Sequence, residues 1–229
     1  MENWSRKIYV IIPCYNEEDV ISNTVNAVLS SGYSVLVVDD ASSDGSGKQL
    51  EMLAVHYIRH RINLGQGAAL QTGIDAALKK GAEYFVTFDA DGQHDVKDIE
   101  GMLQKLDREN LDVVMGSRFL PGASGNVSTQ RKLLLKTACM MNFIFTGILL
   151  TDAHNGLRAF NRNTAKSIRL KENRMAHATE FLQEIKKNNL RFAEYPVHIR
   201  YTAYSRQKGQ SFLNSIRIFL ELVLNKIFD

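Results

Sequence analysis

The 229-residue chain is sparing with the residues that mark specialised scaffolds, having two cysteines, three prolines and one tryptophan. Cys14 and Cys139 cannot build a disulfide framework or, by themselves, a metal cluster, and so few thiols point to a reducing compartment. With 45% hydrophobic and 23% charged residues the composition excludes a disordered or collagenous chain. The opening MENWSRK runs directly into a strand-like segment without a signal-peptide pattern, so a cytoplasmic chain is expected. One tryptophan and no aromatic–basic stripe leave no reason to expect a nucleic-acid partner.

The formal charge of +3 conceals a division. Residues 1–114 carry a net −8 and residues 115–229 a net +11. One half is suited to hold cations, the other to meet anions or an anionic surface.

Hydrophobic periods alternate along the first half. Strands are expected at residues 7–12, 34–38, 56–58, 84–88 and 112–115, and helices at 20–29, 65–80 and 96–108. Asn16 is the expected N-cap of the first helix, with the acids after it on the positive end of the dipole, and Ser42 to Asp44 should open the next, Asp44 as a cap. Apolar β-branched runs separated by helices imply an α/β domain with a mainly parallel sheet covered on both faces. Residues 117–130, rich in Gly, Ser, Asn and Thr, read as a mobile loop at the charge reversal. The domain is expected to span residues 1–210, in halves 1–116 and 117–210, followed by a separate helix at 211–229.

Two later segments bear on membranes. Residues 133–150 include Lys136, Thr137, Asn142 and Thr146, which makes them a poor spanning helix. Residues 211–229 put Asn214, Arg217, Glu221 and Lys226 on one half of a helical wheel and Leu213, Ile216, Phe219 and Val223 on the other. Such an amphipathic helix packs on its own core or lies in a membrane interface.

Asp89-Ala90-Asp91, directly after the strand YFVTF, is the sharpest chemical feature. Two carboxylates leaving the carboxyl end of a parallel strand stand where open α/β sheets bind ligands, and they can converge on one hard cation. Gln93 could add an oxygen. The plain alternative is a solvated turn. Asp39 and Asp40 end another strand and could accept from a nucleobase or ribose, and the small residues around Gly67 let a helix N-terminus approach a ligand or a neighbouring backbone.

Together, Ile12-Pro13-Cys14-Tyr15-Asn16-Glu17, VVDDAS at 37–42, NLGQGAA at 63–69, DADGQH at 89–94 and GSR at 116–118 resemble glycosyltransferase family 2. DAHNGLR at 152–158 and YSRQKGQS at 204–211 are similar to its polyprenyl-phosphate branch, that of the dolichol-phosphate mannose synthases. The resemblance covers about residues 7–211 and implies the GT-A fold. It departs at Ala41, where relatives usually carry Gly, and at Gln66 and Gln71, where many carry Lys and Arg.

The resemblance implies a transferase using a nucleotide diphosphate sugar, UDP- or GDP-linked, and Mg²⁺ or Mn²⁺. Asp89, Asp91 and Gln93 would hold the metal, and Pro13, Tyr15, Glu17, Asp39, Asp40, Gly67 and Ala90 the donor. Arg118, Arg131, Arg158, Arg206 and Lys208 would receive the phosphate of a polyprenyl phosphate acceptor. Asp152 is the remaining catalytic candidate, better suited to orienting an arginine or a sugar hydroxyl than to acting as base. Glu180, on an expected helix at 177–187, stands where other branches place a catalytic acid, with a structural helix acid as the plain alternative. Inverting transfer at the cytoplasmic face of a membrane follows, together with a small membrane-embedded partner in place of the C-terminal hydrophobic hairpins of some relatives. Transfer to a glycan or other soluble hydroxyl, and a non-catalytic nucleotide-sugar binding module, are the competing expectations.

Overall fold

The computed structural model describes residues 7–124, 129–172 and 176–201, apart from the side chains of 130 and 131. In chain order the elements are β1 (Ile8–Cys14), α1 (Ile21–Ser30), β2 (Ser34–Asp39), α2 (Ser46–Glu51), β3 (His56–Arg59), α3 (Gln66–Lys79) and β4 (Tyr84–Thr87). They continue with α4 (Lys97–Arg108), β5 (Val113–Ser117), α5 (Thr129–Thr146), β6 (Arg158–Asn161), α6 (Arg162–Ser167), α7 (His177–Lys187) and β7 (Phe192–Pro196).

Alternation along β1 separates two cores. Tyr9 and Ile11 enter one with residues of α3, α5 and α7, while Ile8, Val10 and Ile12 enter the other with residues of α1 and α4. Every residue of β1 is buried, as befits a strand covered on both faces. The sheet runs β3-β2-β1-β4-β6-β5-β7. β6 is antiparallel to both its neighbours, β4 and β5, and the other pairings are parallel. Phe85 and Phe160 sit opposite each other across the β4–β6 pair and stack at 5.5 Å between centroids.

This reversed strand positions the site. The carboxyl ends of β1, β2, β4 and β5 lie along one edge of the sheet, and an antiparallel β6 brings its first residue, Arg158, to that edge. Register places Arg158 opposite Thr87 on one side and Met115 on the other.

Asn16 does not cap α1. The cap position is Val20 without a side-chain bond, and the first turn of α1 has no acid. Asn16 instead takes a left-handed turn (φ 53°) and accepts the Ser43 amide at 2.8 Å, tying the loop after β1 to the loop after β2. α2 opens at Ser46, later than expected, with Asp44 accepting the Ser46 amide at 2.9 Å. Ala41 adopts φ 62°, a conformation that favours glycine, which accounts for the residue usual at this point of the motif. The expected loop at 117–130 is shorter: Ser117 belongs to β5, Ser124 bridges to His198 and α5 begins at Thr129. The expected helix at 211–229, Arg206 and Lys208 lie outside the described residues, as does the side chain of Arg131 on α5.

Candidate active site

The loops after β1 and β2 form one end of the edge. Pro13 is buried at the end of β1, Cys14 faces the core, and Tyr15 beyond it is 47% exposed. Burial, with Asp39 nearby, pushes the Cys14 thiol up to about 12, so it carries no nucleophile. Glu17 lies in the turn whose carbonyl accepts the first amides of α1. Asp39 is buried and accepts from the Ser42 amide (2.8 Å) and the Tyr57 hydroxyl (2.9 Å), with the half-exposed Arg59 at 3.6 Å. Asp40 is buried too, accepting the amides of Leu64 (2.9 Å) and Gly65 (2.6 Å) and pairing with His60 at 2.7 Å. These acids therefore shape the loops at this end of the edge. Gly67 is required for packing: a Cβ there would overlap the Glu172 carbonyl and crowd His177.

At the centre, Asp89 follows β4 and receives His94 Nε2 at 3.0 Å on one oxygen and the Gln66 amide at 3.2 Å on the other. Burial works against its charge, but the His94 contact, with Arg158 and His177 beyond, holds its carboxyl below the ordinary range. Thr24 of α1 fixes the Ala90 carbonyl at 3.0 Å, and Gly92 turns the chain at φ 71°. Asp91 accepts both the backbone amide and the side-chain amide of Gln93. Burial first, and the Asp89 charge second, lift Asp91 to about 6. Like charges so arranged favour a cation between them.

The residues fit Mg²⁺ or Mn²⁺. Asp89 and Asp91 are two hard carboxylates near enough for the charge of one to act on the other, and among the described residues no group of three or more His, Cys, Asp or Glu side chains is placed to hold a metal. That is the donor set of a metal held by one or two carboxylates and completed by substrate phosphate and water.

At the far end, Arg118 follows β5 and forms a fork with Asp152, Nε to Oδ2 at 2.6 Å and Nη2 to Oδ1 at 2.7 Å. Its backbone amide and Asn155 also donate to Asp152. Burial opposes the charge on Asp152, yet Arg118 keeps its carboxyl below the ordinary range. The turn carrying Asp152 is held by Glu194 of β7, which accepts the amides of Thr151 (3.0 Å) and Asp152 (3.1 Å) and the Thr151 hydroxyl (2.8 Å). Cys139 of α5 accepts the Ala153 amide at 3.3 Å. Arg158 is 4% exposed, with its guanidinium 4.5 Å from the ring centroid of Phe181 on α7. Glu180 accepts the backbone amides of Lys171 and Glu172 at 2.9 Å and thereby braces the loop before α7.

The sequence model described as "Glycosyl transferase family 2" matches residues 9–169. The chain belongs to glycosyltransferase family 2. It is 34% identical to the UDP-N-acetylglucosamine–dolichyl-phosphate N-acetylglucosaminyltransferase of Methanococcus voltae, covering 96% of each chain. It is also 34% identical to the undecaprenyl-phosphate mannosyltransferase of Micrococcus luteus, over 72% of this chain and 70% of that one. A crystal structure of glucosyl-3-phosphoglycerate synthase from Mycobacterium tuberculosis, in complex with Mn²⁺, UDP and phosphoglyceric acid, superposes with a TM-score of 0.67 at 16% identity. That superposition covers 93% of this chain and 79% of that one, and it identifies the GT-A fold.

In this family 2 glycosyltransferase the strand order lays out the quoted motifs along one edge: the β1 and β2 loops, the paired acids after β4, Arg158 on β6, and Arg118 with Asp152 beside β5. Four contributors were not read from sequence in these roles: His94 and Gln66 as partners of Asp89, Phe181 under Arg158, and Glu194 beneath the Asp152 turn. All but His94 lie far along the chain from what they support, so spacing carried no signal. Gly156 had one, a glycine at fixed distance between Asp152 and Arg158.

Proposed function

We propose that this glycosyltransferase moves a sugar from a nucleotide diphosphate donor to a polyprenyl phosphate at a membrane surface, with inversion. One observation carries the choice of acceptor. A hydroxyl nucleophile needs a carboxylate free to take its proton, whereas on the acceptor side Asp152 is spent on Arg118 and Glu180 on backbone amides. A phosphate monoester, with a second pKa near ~6, arrives already ionised and needs cations instead. The Methanococcus voltae and Micrococcus luteus relatives are named for such acceptors, which supports the reading.

Asp89 and Asp91, with the Gln93 amide, would hold Mg²⁺ or Mn²⁺, which when bound stabilises the departing diphosphate as a Lewis acid. Tyr15 and Glu17 flank the nucleoside, and Asp39 and Asp40 keep its loops in place. Arg118 and Arg158 form the cationic wall for the incoming phosphate. A phosphate oxygen forms a bond to the anomeric carbon as the bond from that carbon to the diphosphate oxygen breaks. The oxygen enters opposite the leaving group, so an α-linked donor yields a β-linked lipid phosphosugar.

The deciding experiment is a panel of UDP-glucose, UDP-N-acetylglucosamine and GDP-mannose with Mg²⁺ or Mn²⁺ and a short polyprenyl phosphate, scored for a glycolipid phosphate. Asp91→Asn is expected to lose product by about 100-fold or more, and Glu180→Gln to retain wild-type turnover. Transfer to a soluble sugar, abolished by Glu180→Gln, would establish the hydroxyl acceptor instead. Donor binding without transfer or hydrolysis would establish a binding module.

The acceptor's oily tail calls for a membrane contact. No helix among the described residues is long and apolar enough to cross a bilayer. α5 instead exposes Leu133, Met140, Phe143 and Ile144 beside the exposed Lys132 and Lys136, and residues 113–151 contain no acid. Apolar side chains flanked by lysines suit an anionic bilayer surface. Met140→Glu/Ile144→Glu is therefore expected to reduce sedimentation with anionic liposomes by about tenfold at unchanged melting temperature. Equal sedimentation of variant and parent would remove α5 from the docking surface.

A further inference from the structure

Residues 197–200, directly after β7, run between the loop that follows β4 and the loop that follows β5, bonded to both through the backbone. On one side the Val197 amide donates to the Ser117 carbonyl at 3.0 Å and the Ile199 amide to the Ser124 carbonyl at 2.8 Å. On the other the Arg200 amide donates to the Gln93 carbonyl at 2.8 Å, and the His198 carbonyl accepts the Asp95 amide at 3.3 Å. Val197 and Ile199 are buried while His198 and Arg200 are exposed, so alternate residues anchor this strap in the core. Among the described residues two side-chain pairs hold it. Arg200 meets Asp95 with its own side chain 66% exposed, where an ion pair holds little. His198 meets Asp98 of α4, a carboxylate 5% exposed and 100 residues away in sequence. One Asp98 oxygen accepts the His198 backbone amide and the other pairs with its Nδ1, both at 2.7 Å. Asp98 lies in the first turn of α4 but makes no cap there, so its buried carboxylate is committed to the strap.

We propose that Asp98, acting through His198, is a positioning residue for Gln93: it seats the strap, and the strap sets the place of the Asp91–Gln93 turn. This rests on the reading of Asp91 and Gln93 as holders of the divalent ion. Gln93 is bonded at three points, its carbonyl by Arg200 and its backbone and side-chain amides by Asp91. The first ties it to the rest of the fold, whereas the other two lie within the turn and move with it. On its far side the strap is fixed to Ser117 and Ser124, so Gln93 takes its position from β5 and the loop beyond it. With the strap unseated, the turn would keep its internal bonds but not its place, and its oxygens would meet a cation from a wider range of positions. Such outer partners are worth about 10- to 100-fold in metal affinity.

Asp98→Ala, His198→Ala and Asp98→Asn in the full chain test this, with Mn²⁺ alone as the probe. Mn²⁺ binding is followed by electron paramagnetic resonance, and hydrogen exchange is followed at the Asp95 and Arg200 amides. Asp98→Ala is expected to weaken Mn²⁺ binding by about 10-fold or more and to speed exchange at both amides. Its turnover should fall at limiting Mn²⁺ and return at saturating Mn²⁺, a repair that a merely destabilised fold would not show. His198→Ala keeps the backbone bond to Asp98, so it should show the same pattern in smaller measure. Its ring is 48% exposed, and it carries the test should Asp98→Ala fail to fold. Asp98→Asn should recover most of the affinity, since an amide can accept the His198 N–H and donate to Nδ1. Unchanged Mn²⁺ affinity in the folded alanine variants overturns the proposal, as does a loss of turnover that excess Mn²⁺ does not repair. The metal reading fails separately: wild-type protein that binds no Mn²⁺, while exchange at Asp95 and Arg200 quickens in the alanine variants, keeps the strap as the anchor of Gln93 and removes the ion from it.

Discussion

Gly156→Ala is expected to abolish turnover by displacing Asp89, although residue 156 carries no chemistry of its own. A Cβ at this position would overlap the carboxyl group of Asp89. The backbone cannot retreat, because the Gly156 carbonyl accepts the Thr87 hydroxyl at 2.6 Å and the next residue opens the way into β6. Asp89 cannot keep its place either, since His94 and Gln66 hold its two oxygens where the Cβ would lie. The carboxylate must rotate out and lose one or both partners. A displacement of about 1 Å at a reacting centre costs roughly 100-fold in rate, and this one would also disturb the proposed metal ligand. Mn²⁺ titration followed by electron paramagnetic resonance should show weakened binding in step with the fall in kcat, while far-ultraviolet circular dichroism stays unchanged. Wild-type Mn²⁺ affinity in the Ala variant would mean that Asp89 is not a metal ligand.

The same carboxylate shows what was legible in the sequence. A short apolar run ending in Asp89-Ala90-Asp91 is local information, and the strand, its buried faces and the acids at its end follow from it. The helix expected at 177–187 is α7 to the residue, because its apolar positions recur at helical spacing and a charged tail marks its end. β6 was not legible. Its four residues, Arg158–Asn161, have no period to read, and their place between β4 and β5 is fixed by partners more than 40 residues away. Asn16 misled because Asn before a run of acids has the composition of a helix cap, while the fold uses its amide to join two loops. The cationic half announced an anion site, but composition could not tell Arg118, forked onto Asp152, from Arg158, backed by the Phe181 ring.

The buried fork makes the Arg118–Asp152 pair the most sensitive point of the wall proposed for the acceptor. Asp152→Ala leaves the Arg118 guanidinium buried without its carboxylate and releases the Arg118 and Asn155 amide donors. Stripping one partner from a buried pair costs about 3–5 kcal/mol, a large fraction of the ~5–15 kcal/mol by which a domain is stable. The melting temperature is therefore expected to fall by roughly 6–20 °C. Asp152→Asn should fall less, since an amide keeps the shape and accepts one of the hydrogen bonds. Removing both charges with apolar residues, Arg118→Met with Asp152→Leu, is expected to recover most of the lost stability, because nothing buried is then left unanswered. Acceptor KM should nevertheless remain raised in the double variant, as the proposed wall loses one of its cations. A double variant as unstable as Asp152→Ala would show that the turn at residues 151–153 depends on the carboxylate itself. Recovery of both stability and acceptor KM would reduce the pair to a packing element.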